Sequence, residues 1–92
     1  MQFEFDPAKS ASNKAKHGID FVECQVLWND PNRIELDGRL AGELRFVVIG
    51  GIGRRVWSAC ITYRHEAIRI ISVRQARQNE REAYLDGQDA HS

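Results

Sequence analysis

Residues 68–84 constrain the fold of this 92-residue chain more than any other stretch. The run opens with Ile68, Ile70, Ile71 and Val73 and passes without a break into Gln75, Ala76, Gln78, Glu80, Glu82 and Ala83. A β-branched apolar run that turns into good helix formers reads as a strand feeding straight into a helix. Arg69, Arg74, Arg77 and Arg81 punctuate it. With a helix starting near Arg74, the last three fall at i, i+3 and i+7 on one face. Arg77 and Arg81 are then like charges at i, i+4, a cost of a few tenths of a kcal/mol, roughly. A chain can carry that cost without purpose. It can also carry it because an anion binds there, since arginine grips phosphate bidentately.

The segments upstream supply the partners of that strand. Phe3-Glu4-Phe5 alternates and reads as a short strand. Asp6 and Pro7 start a helix as N-cap and first helical residue, and Gly18 ends it. Ala8, Ala11 and Ala15 form a stripe of small residues suited to close packing. Asp20 and Glu23 make a capping box that opens a second helix with Phe21, Cys24, Leu27 and Trp28 as its apolar stripe, stopped by Asp30-Pro31. Strands follow over 33–37, 44–49, 54–63 and 67–73, with turns at 38–42, 50–53 and 64–66. On the third of these, Trp57, Ala59, Ile61 and Tyr63 share one side, and Val56, Cys60 and Thr62 the other. The expected fold class is α+β: a short N-terminal strand, two helices, an antiparallel four-stranded meander and a C-terminal helix, in one domain over 1–92 with a frayed tail over 88–92.

The chain is neutral overall, which by itself argues against a nucleic-acid binder. Its charge is unevenly spread. Residues 54–81 hold seven arginines against Glu66 and Glu80, a local balance of +5. That asymmetry fits either a positively charged binding face or a solvated charged surface. No apolar run approaches the ~18 residues a membrane helix needs, and the first residues lack a signal-peptide pattern, so a cytoplasmic address is expected. Cys24 and Cys60 sit in apolar surroundings and read as buried free thiols.

No phosphate loop, zinc spacing or local nucleophile motif is present, and the acids are too scattered to suggest a two-metal nuclease. An enzyme built on this chain would work on an anion through Arg, Lys and His, with no metal or cofactor. Arg69 interrupts the most apolar strand. It either pairs with Glu80 or another acid, or faces an anion-binding groove. Lys16 and His17 close the first helix. They either satisfy terminal carbonyls, or supply a phosphate contact and an acid–base group.

Four blocks taken together are distinctive: Phe3-Glu4-Phe5-Asp6-Pro7-x-Lys9, Asn13-x-x-Lys16-His17-Gly18-Ile19-x-Phe21, Ile68-Arg69-Ile70-Ile71-Ser72-Val73-Arg74-x-Ala76 and Glu80-Arg81-x-x-Tyr84. The chain thereby resembles the BrnT toxins of BrnT/BrnA type II toxin–antitoxin systems, with Phe5 where that family usually has Trp and Val73 where it usually has Ala. The resemblance implies a RelE-like fold, an endoribonuclease that arrests growth by cutting RNA, and a BrnA-like antitoxin that blocks it and contacts DNA in repressing their operon. A heterotetramer is the natural assembly of such a pair. The resemblance implies cationic catalysis in general; within it we assign Arg69 and Arg74 to transition-state charge and His17 to acid–base work. Lys16, Arg77 and Arg81 are assigned to phosphate contacts. The alternative is an inactive module whose basic groove only docks an acidic or amphipathic antitoxin segment.

Overall fold

In the computed structural model, which describes residues 1–38 and 44–89, five strands form one mixed sheet. The elements are β1 (Gln2–Glu4), α1 (Pro7–His17), a 3₁₀ segment (Glu23–Asn29), β2 (Ile34–Asp37), β3 (Phe46–Ile52), β4 (Arg55–Arg64), β5 (Ala67–Gln75) and α2 (Gln78–Asp89). Strands β2 to β5 form the expected antiparallel meander. The expected four-stranded antiparallel sheet is corrected in one respect: β1 joins it as a fifth strand, parallel to β5, with Glu4 opposite Arg69. Pairing there removes an open edge from the most apolar strand, and Phe3 stacks edge-on against Trp28 with ring centroids 5.0 Å apart. Of the expected turn at 38–42, all but Gly38 lies outside the described residues, as does the expected tail beyond Asp89.

Helix α1 begins and ends as its caps dictate. The Asp6 carboxylate accepts from the Ala8 N–H at 2.9 Å, and Gly18, at φ 79°, returns its N–H to the Lys14 carbonyl at 2.9 Å. Its buried side is not the alanine stripe. Ala8, Ala11 and Ala15 are exposed, and Ser10 and Asn13 face inward. Strand β1 covers β5 only as far as Arg69, so the N–H and C=O of Val73 would have no strand partner on that side. The Asn13 carboxamide takes that place. Its Nδ2 donates to Val73 O at 2.9 Å and to Ile19 O at 2.8 Å, and its Oδ1 accepts from Val73 N–H at 3.2 Å. Ser10 Oγ accepts from the Phe21 N–H at 2.9 Å. Backbone satisfaction, rather than small-residue packing, sets the rotation of the helix.

The capping box forms as expected. Asp20 Oδ1 accepts from the N–H groups of Val22 and Glu23 at 2.8 and 2.7 Å, and Glu23 Oε1 accepts from Asp20 N–H at 3.0 Å. The helix that follows is 3₁₀, not α. Phe21, Cys24 and Leu27 recur every three residues, the period of a 3₁₀ helix, and all three are buried.

The main core lies between one face of the sheet (Val48, Trp57, Ala59, Ile61, Ile68, Ile70, Val73) and Ile19, Phe21, Cys24 and Leu27. A smaller cluster on the other face joins Ile49 to Ala76 and Tyr84, with Ile34, Val47 and Val56 packed around it. Gly50 and Gly51 do not form the expected turn; they belong to β3. A Cβ on Gly50 would stand 3.0 Å from Leu27 Cδ2, so close approach requires glycine there. The turn moves to Gly53-Arg54, where Gly53 takes φ 62°. Among the described residues no helix is long and apolar enough to cross a membrane.

Candidate nucleic-acid interface

A β-bulge brings the central arginines together. Ile61 pairs with Ile70 and Cys60 with Ser72, which leaves Ile71 as an extra residue in β5. Side chains alternate along a strand, so an unbroken β5 would set Arg69 and Arg74 on opposite faces. The extra residue reverses the alternation. Ile68, Ile70 and Val73 then point into the core, and Arg69 and Arg74 emerge on the other face, opposite Thr62 and Ser58. The expectation that Arg74, Arg77 and Arg81 form one helical stripe is therefore corrected. Arg74 belongs to β5, and α2 starts only at Gln78. The apolar character of the 68–73 run carries through the bulge, and nothing in its composition marks Ile71 as the residue out of register.

Helix α2 covers one end of this face and leaves the rest open as two adjoining hollows. One, of about 400 Å³, is lined by Gly38, Arg45, Val47, Ser58, Cys60, Ser72, Arg74 and Arg77. The other, of about 370 Å³, is lined by Lys9, Leu44, Arg45, Thr62, Arg64, Arg69 and Ile71. Arg45 borders both. Lys9, Arg45 and Arg64 were not among the candidates from sequence, though Arg45 is the one charge in the apolar 44–49 run and Lys9 belongs to the first resemblance block. Cys60, expected to be a buried thiol, is half-buried on this face. Cys24 is buried as expected, and burial pushes its thiol up to about 12.

Glu80 pairs with Arg74 and not with Arg69. Both terminal nitrogens of Arg74 donate to the Glu80 carboxylate, at 2.6 and 3.0 Å. Glu80 Oε1 also accepts from the Arg77 N–H at 2.7 Å, which caps the first turn of α2. The Arg74 guanidinium, aided by that N–H, holds the Glu80 carboxyl down at about 2 against its burial. Ser58 Oγ adds a weaker favourable contact without closing a hydrogen bond of ordinary geometry. Arg69 pairs instead with Glu4, its neighbour across the parallel ladder, at 3.5 Å, and Arg64 reaches the same carboxylate oxygen at 3.7 Å.

The remaining candidates separate. Arg77 lines the Arg74 hollow. Arg81 turns its guanidinium back to donate to Ala76 O at 2.7 Å and lines neither hollow. Lys16 and His17 are exposed at the end of α1 and line neither hollow. Tyr84 serves as an anchor: its hydroxyl donates to Asp30 Oδ2, which also accepts from Gly51 N–H at 2.8 Å. Burial raises the Asp30 pKa, but the bonds from Tyr84, Gly51 and Asn32 outweigh it and leave the carboxyl below its usual value. Among the described residues no three His, Cys, Asp or Glu side chains converge as a metal site would require.

An open sheet face lined by arginines and hydroxyls suits a phosphodiester backbone. No curated protein matches the chain. A family model described as the ribonuclease toxin BrnT of type II toxin–antitoxin systems matches residues 5–80, a span holding α1, the bulged strand and the Arg74–Glu80 pair. The chain belongs to that family of ribonuclease toxins.

Proposed function

We propose that the chain is a metal-independent, RelE-like endoribonuclease that halts growth by inhibiting translation. In this reading it is held inactive by a BrnA-like antitoxin in a heterotetramer that reaches DNA only through the antitoxin and represses their own operon. The observation that carries the enzymatic part is the arginine-lined open face: among the described residues, Lys9, Arg45, Arg64, Arg69, Arg74 and Arg77 line it, with Glu4 paired to Arg69 and Glu80 to Arg74.

The reaction suited to such a face is attack of an RNA 2′-OH on the adjacent phosphorus. The bond from phosphorus to the 5′-oxygen breaks, leaving a 2′,3′-cyclic phosphate and a 5′-OH. The attacking hydroxyl gives its proton to a base, and the departing oxygen takes one from an acid. The phosphorane oxygens carry the growing negative charge, and fixed guanidinium groups stabilise it most when they need no reorganisation. Glu80 holds Arg74 in place for that purpose. Arg77 positions phosphate beside it, and Arg69, assigned from the sequence to the same charge-stabilising role, borders the neighbouring hollow instead. His17 and Lys16 would act on RNA that continues from the sheet face to the end of α1. Arg81 would require release of its bond to Ala76 O.

A second reading, a module that only docks an antitoxin, is favoured by one observation: both terminal nitrogens of Arg74 are already engaged by Glu80. Incubation of antitoxin-free protein with labelled total RNA in EDTA separates the two. Cleavage leaving 5′-OH ends is the expected result. No cleavage with or without Mg²⁺, by folded protein that still binds its antitoxin, would select the docking module.

A further inference from the structure

Because of the bulge, Arg69 and Arg74 lie opposite Thr62 and Ser58, four positions apart on β4, roughly 13 Å along the sheet at about 3.3 Å per residue. Each borders a different hollow. One phosphate group, only a few ångströms across, is too small to span them. We infer that the hollow at Arg64 and Arg69 is a second phosphate subsite, which holds the backbone of single-stranded RNA beside the phosphate cut at Arg74. This inference rests on the ribonuclease reading and deepens it by naming the form of the substrate.

Three features support it. Lys9, Arg64 and Arg69 line this hollow, and the two arginines share one carboxylate, Glu4, at long range, 3.7 and 3.5 Å. Such stretched pairs are weak, and a phosphate offers the same donors better geometry. Thr62 and Ile71 also line it, a hydroxyl for the sugar–phosphate chain and an apolar surface at the bulge for a base. The strand must be single because attack by a 2′-OH requires it in line with the departing oxygen, an alignment that a stacked duplex withholds. Glu4, which pairs with both arginines from beside the hollow, then holds Arg64 and Arg69 ready until RNA displaces it.

The test uses 2′-O-methylated RNA, which binds but cannot be cut, as a 10-mer and as a dinucleotide. Lys9 and Arg64 are exposed, so Lys9→Ala and Arg64→Ala leave the core untouched, and melting curves check this. Each variant is expected to weaken 10-mer binding about five- to tenfold and to flatten its salt dependence by about 0.7 in log–log slope. The preference of the wild type for the 10-mer over the dinucleotide shrinks accordingly. Glu4→Gln, which removes the competing carboxylate, is expected to tighten the 10-mer two- to threefold. Unchanged 10-mer affinity and salt slope in both alanine variants, with a wild type that cuts RNA, would overturn the second subsite and leave the ribonuclease reading standing. A wild type that neither binds the 10-mer nor cuts RNA would overturn both.

Discussion

The two faces of the sheet are built from the same strands and solve opposite problems. On one, Val48, Ala59, Ile61, Ile70 and Val73 lie under the 3₁₀ segment and its approaches, almost wholly removed from water. On the other, α2 covers only the end around Ile49 and Tyr84, and arginines line the open remainder. A single bulged residue, Ile71, keeps the faces distinct by letting Val73 join the core and Arg74 leave it. Stability is therefore concentrated on the covered face, and in the proposed reading chemistry belongs to the open one. Substitutions on the two should have opposite signatures.

The largest loss of stability belongs to the covered face. Leu27 is fully buried and fills the space left by Gly50. Leu27→Ala should cost about 3–4 kcal/mol, read as a lowered denaturant midpoint; a loss under 1 kcal/mol would mean that the 3₁₀ segment is not part of the core. Next comes Asn13→Ala, which leaves the Val73 N–H and two carbonyls without their partner. It should cost about 2–3 kcal/mol, and hydrogen exchange at Val73 should accelerate. Protection at Val73 equal to wild type would contradict the strand-substitute role of Asn13.

Glu80 lies where α2 meets the open face. Its side chain is only 11% exposed, against 31% for Arg74. Its folded pKa is about 2, below the ordinary 4.5. The depressed value means that the pair stabilises the fold fully above about pH 4.5, and that this contribution is lost as pH falls towards 2. It amounts to something on the order of 2 kcal/mol once screening at Arg74 is allowed for. Glu80→Gln should flatten the acid limb of the stability profile over that window, and an unaltered limb would rule out the pair as its source. The smallest stability effect belongs to the open face: Arg69→Ala removes a weak pair at 3.5 Å and should cost under about 1 kcal/mol.

Much of this architecture was legible in the residues. Asp6, Gly18 and the Asp20/Glu23 box carry their own capping chemistry, and the meander followed from alternation and short turns. What escaped depended on partners distant in sequence. The alanines of α1 lost the buried face to Asn13 because Val73, 60 residues away, needed a hydrogen-bond partner. Gly50 and Gly51 looked like a turn because their neighbours, Leu27 at Gly50 and Tyr84 and Asp30 at Gly51, are far from them in the chain. Phe3-Glu4-Phe5 was legible as a strand but not as a parallel fifth one, since nothing local selects a partner. Arg69 and Arg74 were legible as candidates, yet their common face depends on a bulge that leaves no local signature. Lys9 and Arg64 became candidates only when α1 and β4 brought them to the same hollow as Arg69.

The central claim, that the open arginine face carries activity and the covered face carries stability, is tested most directly by one paired measurement on Arg69→Ala: RNA cleavage in EDTA beside thermal unfolding of the same sample. The account predicts a midpoint within a few degrees of wild type and a cleavage rate lower by about tenfold or more, because RNA not held at the neighbouring hollow is misplaced for cutting. Cleavage at the wild-type rate by a protein that melts normally would contradict it.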